Sequence, residues 1–269
     1  MATLGPNEWG KSEVRISKVH RGEVEDGFSD LTVQILLTGD VESAYTAGDN
    51  SSVLPTDTTK NTVYGLAQEH LTQDLEAFAV LLHDHMVAKE GIETARVTIS
   101  SKRWERMGAR GFVGGGSERR TAVAATGEPT RSGIEGLVVL KTTGSAFSGF
   151  PKDEFTVLPE AEDRLLATSI TSHWAYDPSP ADTTATWSRI RQLFLERFFS
   201  DWSASVQHQG WLMAEAVLDE VEEIAEISFE LPNQHHLAFD LSRFGLDNKG
   251  TVFHPVSEPY GDIRFTASR

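Results

Sequence analysis

An α+β protein built from two similar halves is what this sequence predicts, on three observations. Leu31, Val33 and Ile35 alternate as a half-buried strand does, while Leu75, Phe78, Leu82 and Met86 recur at helical spacing. The order strand, strand, helix, strand, strand then returns in the second half of the chain. With 269 residues, the chain is long enough to bury two cores of ordinary size.

Taken in order, the first strand covers residues 13–20 and the second residues 31–38, together a hairpin. A polar loop around Thr56 follows. A helix over residues 72–89 takes Thr72 as its N-cap, with Asp74 and Glu76 in the first turn, where the helix dipole favours acids. Strands over residues 92–99 and 121–126 complete the first half. Residues 127–133, rich in Gly, Pro, Ser and Thr, read as a linker and set the two domains at 1–130 and 131–269. The second half opens with strands over residues 137–142 and 167–176. A helix over residues 184–199 follows, with Trp187, Ile190, Phe194 and Phe198 at helical spacing. A further helix over residues 205–221 leads into a strand over residues 224–231, which matches residues 92–99 in position and rough pattern. Each half is thus an antiparallel sheet with helices on one face, whose open edges need partners.

Composition narrows the chemistry. Lys and Arg number 24 against 40 Asp and Glu, and the formal charge of −16 disfavours nucleic acid or an anionic membrane as a partner. The absence of cysteine removes disulfides, thiolate metal sites and thiol catalysis together. No apolar run approaches the length of a membrane helix, and the first eight residues carry no basic flank or apolar core. The expectation is a cytoplasmic protein; the ending Ala267-Ser268-Arg269 is not of the Ser-Lys-Leu type that directs proteins to peroxisomes.

The densest chemical signal is Thr56-Asp57-Thr58-Thr59-Lys60-Asn61-Thr62, where hydroxyls, a carboxylate, an ammonium and an amide crowd together before a helical pattern. Trp9-Gly10-Lys11 precedes the first strand. Phe147 lies among Gly and Ser rather than in an apolar stripe, which suits a ligand platform better than a core position. Glu162-Asp163-Arg164 supplies a guanidinium fork, and Ser203-Ala204-Ser205-Val206-Gln207-His208 opens a helix whose free N–H groups favour an anion. In Leu231-Pro232-Asn233-Gln234-His235-His236, strand alternation puts Asn233 and His235 on one face. Other features carry less. His83 and His85, two apart on a helix, do not share a face and make a poor metal pair. Residues 108–116, rich in glycine, lack the Lys-Ser/Thr ending of a phosphate loop and read as a flexible turn.

These separated motifs, in this order, resemble those of urate oxidases, a family that oxidises urate with molecular oxygen and without a cofactor. The resemblance runs from Trp9 to Ile263 and is weakest between Trp104 and Thr130. It implies two tandem tunnelling-fold domains per chain, each a four-stranded antiparallel sheet with helices on one face. It also implies a homotetramer whose sheets close into a barrel, with active sites at subunit interfaces. By resemblance, Lys11, Thr56 and His235 are catalytic, with Lys11 and Thr56 forming a proton relay contributed by different subunits. A lysine drawn partly out of water holds its proton less tightly, which suits that role.

Substrate contacts follow in the same way. Phe147 stacks on the purine, Arg164 clamps a carbonyl and the adjacent deprotonated nitrogen, and Gln207 binds the opposite edge. Thr56 faces the ring, Asp57 and Val206 offer backbone N–H groups, and Asn233 holds oxygen or water above it. The Asp57 carboxylate braces its own segment, and Lys60 and Asn61 support it. No metal is implied, and oxygen enters as co-substrate. Two departures stand out: Gln234 replaces a commonly basic residue, and the glycine run is unusual. Two other readings are a related tunnelling-fold enzyme acting on a purine or pterin, and a catalytically dead purine-binding oligomer. The first would anchor its ring through a metal or a glutamate, and the second would have lost the Lys11 and Thr56 pair.

Overall fold

The computed structural model describes residues 2–269. The fold is α+β, with ten antiparallel strands and five α-helices among the described residues. It divides into two compact units, one of residues 1–133 and 175–187, the other of residues 134–174 and 188–269.

The first unit begins with β1 (Trp9–His20) and β2 (Gly27–Gly39). A short helix, α1 (Glu42–Thr46), leads to α2 (Thr56–His70) and α3 (Leu75–Val87), and the chain returns as β3 (Ile92–Arg106) and β4 (Phe112–Ala125). The strands lie in the order β1-β2-β3-β4, each pair antiparallel. Val14, Val33, Ile35, Val97 and Ile99 on one face of this sheet are buried against Val63, Phe78, Leu82 and Met86 of the helices. Each such side chain contributes roughly 1.5–3 kcal/mol of hydrophobic stabilisation.

Three details depart from the sequence reading. The Thr56 stretch is not a loop but the first two turns of α2. Its hydroxyls do not oppose the helix because they bond back to it: Thr62 Oγ1 donates to the Thr58 carbonyl at 2.9 Å. Thr59, Val63 and Ala67, spaced by four, form the buried stripe. The N-cap of α3 is Asp74, which accepts from Ala77 N at 2.8 Å, while the Thr72 hydroxyl accepts from Asp74 N instead. Finally, residues 112–116 of the glycine-rich turn belong to β4, because β3 and β4 extend their pairing out to Arg106 and Phe112.

A buried polar cluster braces this unit. Arg120 of β4 donates to Glu76 of α3 at 2.5 Å and lies over the Trp187 ring, 5.4 Å from its centroid. Ser132 Oγ also donates to Glu76, and the Trp187 indole donates to the Gly133 carbonyl at 2.9 Å. Burial pushes the Glu76 carboxyl above its ordinary range, and the Arg120 charge only partly offsets this.

The second unit draws on β5 (Arg131–Lys141), β6 (Leu166–Tyr176) and α4 (Thr183–Ser200), which enter it from the first. It continues with α5 (Val206–Glu220), β7 (Ile224–Glu230), β8 (Asn233–Ala238), β9 (Phe253–Gly261) and β10 (Arg264–Ser268). The main strand order is β5-β6-β7-β10, with β8 paired to β6 and β9. The helix stripe foreseen in α4 packs as a chain of rings: Phe194 lies edge-on to Trp174 at 6.4 Å and 5.1 Å from Phe229, which stacks on Phe265 at 5.3 Å. The β8–β9 hairpin, of which the sequence reading placed only the first arm in a strand, supplies one wall of the site.

Candidate active site

In the second unit the site grows from the end of β5. Past Lys141 the chain leaves the strand yet keeps pairing: Ala146 N donates to Ser203 O at 2.8 Å, and Ser203 N to Gly144 O at 3.0 Å. On its other side, Phe147 and Ala161 exchange backbone bonds of 2.7 and 2.9 Å, and Arg164 N donates to Ser145 O at 2.6 Å. Residues 144–147 therefore form the middle of a three-stranded patch carrying Phe147 centrally, Arg164 on one flank and the start of α5 on the other. Ser145 and Ser203 are fully buried beneath it.

Phe147 stacks on Phe150 with centroids 4.9 Å apart, and the Arg164 guanidinium lies 5.2 Å from the Phe147 ring centre. Both residues line a cavity of about 560 Å³ together with Asn233 and His235. Burial lowers the proton affinity of Arg164 from its usual value, and its Nε is buried with no protein acceptor. A buried donor left without a partner costs stability, and in a cavity wall it is available to an acceptor on a bound molecule.

Lys141 anchors the patch from below. It is buried, donating to Asp201 O at 2.7 Å and to Gln209 Oε1 at 2.6 Å, and burial lowers its proton affinity although Asp201 and Asp163 act the other way. Gln209 donates in turn to Arg197 O at 3.0 Å, so one lysine and one amide join β5, the end of α4 and the start of α5. Asp163 fixes the turn before Phe147 by accepting from the Thr143 hydroxyl and from Gly144 N, and these bonds hold its carboxyl below the usual range. The sequence reading passed over Lys141 and Gln209. The one available signal was a lysine within an apolar strand pattern.

At the start of α5, Ser205 caps the helix by accepting from His208 N at 3.1 Å. Val206 is buried and Gln207 is exposed, and neither lines the cavity that gathers Phe147, Arg164, Asn233 and His235. The pairing of β8 with β9 is irregular between Asn233, opposite Gly261, and His235, opposite Val256, so simple alternation does not hold across that step. His236 bonds within its own strand, to Gln234 O at 3.1 Å.

The remaining candidates lie in the first unit. Asp57 accepts from Lys60 at 2.5 Å and from Asn61 at 2.9 Å, the brace expected of it. These bonds hold its carboxyl below the usual range, and the charge of Lys11 adds to the effect. Trp9 donates to Leu54 O at 3.0 Å, Tyr64 to Arg15 O at 2.8 Å, and Lys18 to the last carbonyls of α2. Strand β1 thus lies along α2, with Lys11 near the helix start. The expectation that Lys11 and Thr56 come from different subunits is corrected here, because this packing brings both to the same end of a single unit.

Fold and site together define an α+β protein with a cavity bounded by an aromatic ring, a guanidinium, an amide and an imidazole. The chain belongs to the uricase family, whose model matches residues 7–128 and 130–264. It is 40% identical over 272 residues to a uricase of Arthrobacter globiformis, an alignment covering 99% of this chain and 90% of that relative. It is 34% identical over 282 residues to a uricase of Dictyostelium discoideum, covering 100% of this chain and 98% of that protein. The crystal structure of the Arthrobacter globiformis uricase superposes with a TM-score of 0.95 at 39% identity, covering 100% of this chain and 96% of that one. Among the described residues no helix is long and apolar enough to cross a membrane.

Proposed function

We propose that this chain is a urate oxidase. Urate, oxygen and water would give 5-hydroxyisourate and hydrogen peroxide: two electrons and the protons pass from urate to oxygen, and the water oxygen stays on the purine. The observation that carries the reading is the cavity in which Arg164, with its unpaired buried Nε, lies over Phe147 beside Asn233 and His235.

In this reading Phe147 stacks on the purine and Arg164 grips a carbonyl and the adjacent anionic nitrogen through paired charge-assisted bonds. Gln207 holds the opposite edge, and Val206 and Asp57 add backbone N–H groups. Thr56 passes a proton to or from Lys11, His235 handles a second, and Asn233 orients oxygen or water. Deprotonated urate is itself the reductant, so neither metal nor organic cofactor takes part. What remains for the protein is orientation, proton transfer and electrostatic stabilisation.

The candidate residues divide between two units, Lys11, Thr56 and Asp57 in one and the rest in the other. We read these as two tandem tunnelling-fold domains, residues 1–130 and 131–269, in a cytoplasmic homotetramer whose active sites form where a first domain meets a second domain of another subunit. The test is metal-chelated, purified protein mixed with urate, following loss of urate absorbance and appearance of peroxide. Absence of oxygen-dependent consumption overturns the assignment, and a strict metal requirement overturns the cofactor-free mechanism.

A further inference from the structure

The face of the sheet on which Lys11 stands is set by an irregularity two residues away. Residues directly opposite in an antiparallel pair share a face. Val14 pairs with Val33 and Ile16 with Leu31, all buried in the core beneath the helices. Counting back from Val14 by strict alternation, Ser12 and Gly10 would share that face and Lys11 would take the other. The observed register differs: Lys11 pairs with Ile35 and Trp9 with Leu37, both partners buried in the same core, and Trp9 packs against it.

The change of parity comes from one extra residue in β1. Between Lys11 and Val14 stand Ser12 and Glu13, facing the single residue Gln34, whose side chain donates to Ser12 Oγ at 2.8 Å. This is a β-bulge, and Glu13 adopts the left-handed conformation, φ 56°, as the only non-glycine residue with positive φ among those described. That conformation is disfavoured for a residue with a side chain, and strain of this kind gathers at sites where geometry matters. Just before it, Gly10 lies so close to β2 that an added Cβ would sit 1.9 Å from the Ile35 carbonyl oxygen. The strand is held from both sides of Lys11.

We infer that the Ser12–Glu13 bulge is a positioning device that turns Lys11 onto the helix-covered face, beside the start of α2, and that Glu13 is a positioning residue for the reaction. The inference rests on the role proposed above for Lys11. The same row of β1 carries Lys18 to the carbonyls ending α2, so the bulge lets one strand address both ends of one helix. If the segment before Val14 slipped by one residue to flatten the bulge, Lys11 would pair with Leu36 and point away from Thr56.

The test compares Glu13→Gly, Glu13→Val and deletion of Glu13. Glycine accepts the left-handed conformation without strain and is expected to keep kcat within about twofold while raising the melting temperature. Valine resists that conformation and is expected to lower kcat at least tenfold with KM nearly unchanged. Placement is read without catalysis by using the absence of cysteine. Lys11→Cys with Asp57→Cys gives a chain whose only two thiols a short bis-maleimide can join, detected as an intramolecular adduct by mass spectrometry. The adduct should form in the parent and Glu13→Gly backgrounds, be lost with Glu13→Val, and survive deletion of Glu13, which removes the bulge but keeps Lys11 opposite Ile35. An adduct that persists with Glu13→Val, or a Glu13→Val protein with full kcat, overturns the inference. If the adduct is lost as expected while Lys11→Met keeps full turnover, the placement stands and the catalytic role of Lys11 falls.

Discussion

Replacing Arg164 by lysine separates the charge of the clamp from its shape. Backbone bonds seat position 164 on Ser145, and Phe147 keeps both its Ala161 pairing and its stack on Phe150, so the substitution leaves the platform standing. It removes the planar fork that offers two parallel donors and leaves one ammonium that can make a single strong bond. A charge-assisted bond in such a setting is worth about 1.5–3 kcal/mol, and each 1.4 kcal/mol or so is tenfold in affinity. The expected loss is thus roughly 10- to 150-fold in urate affinity. Equilibrium dialysis of urate under nitrogen measures it directly, because without oxygen the substrate does not turn over. Steady-state assays in air should show KM rising by a similar factor with kcat changed much less, and Arg164→Ala should weaken binding further. Unchanged affinity with a large fall in kcat would refute the clamp and move Arg164 into the chemical step.

Thr56→Val keeps the shape of the side chain and deletes the hydroxyl, so turnover should fall by about 100-fold or more while urate affinity is nearly kept, a split visible in kcat and in anaerobic binding. Glu76→Ala leaves Arg120 buried beside an empty space and should cost about 3–5 kcal/mol of stability, measured by urea unfolding. The same carboxyl makes a pH prediction. Its folded-state value is raised, so the folded chain holds that proton more tightly than the unfolded chain does. The contribution is fully present below the ordinary glutamate value of 4.5 and is lost as pH rises through the raised value. Glu76→Gln should flatten stability against pH above 4.5, and an unchanged slope would contradict the burial account. Lys141→Met strands the acceptors on Asp201 and Gln209 and should destabilise the protein by roughly 2–4 kcal/mol, with KM for urate rising because the Phe147 segment and α5 lose their common anchor.

Much of the fold was legible because it rests on local rules. Alternation marked β2, and helical spacing marked α3, α4 and α5. The errors lay where a local pattern was overridden. The Thr56 run looked like a loop because hydroxyls and Asn compete with helical bonding, but Thr62 spends its hydroxyl on the preceding turn, and Asp57, Lys60 and Asn61 satisfy one another along one helix face. The glycine run looked like a turn because glycine weakens strands, yet pairing with β3 carried the strand through it. At the site, Phe147, Arg164, Asn233 and His235 could be picked out by residue type and motif order, whereas Lys141 and Gln209 act through partners some 60 residues away in sequence and left no pattern to read.

By itself the sequence determined which chemistry is available: a guanidinium fork, a stacking ring, an amide and imidazole pair, and a lysine near a threonine-rich run, in an order specific to one family. Tertiary structure decided where that chemistry points. Strand pairing closes a patch that sets Arg164 over Phe147 and buries its Nε without an acceptor, and a bulge in β1 puts Lys11 on the face that strict alternation from Val14 would deny it. Side-chain direction in a strand has a period of two, so one bulge reverses everything beyond it, and only the partner strand reveals that the bulge is there.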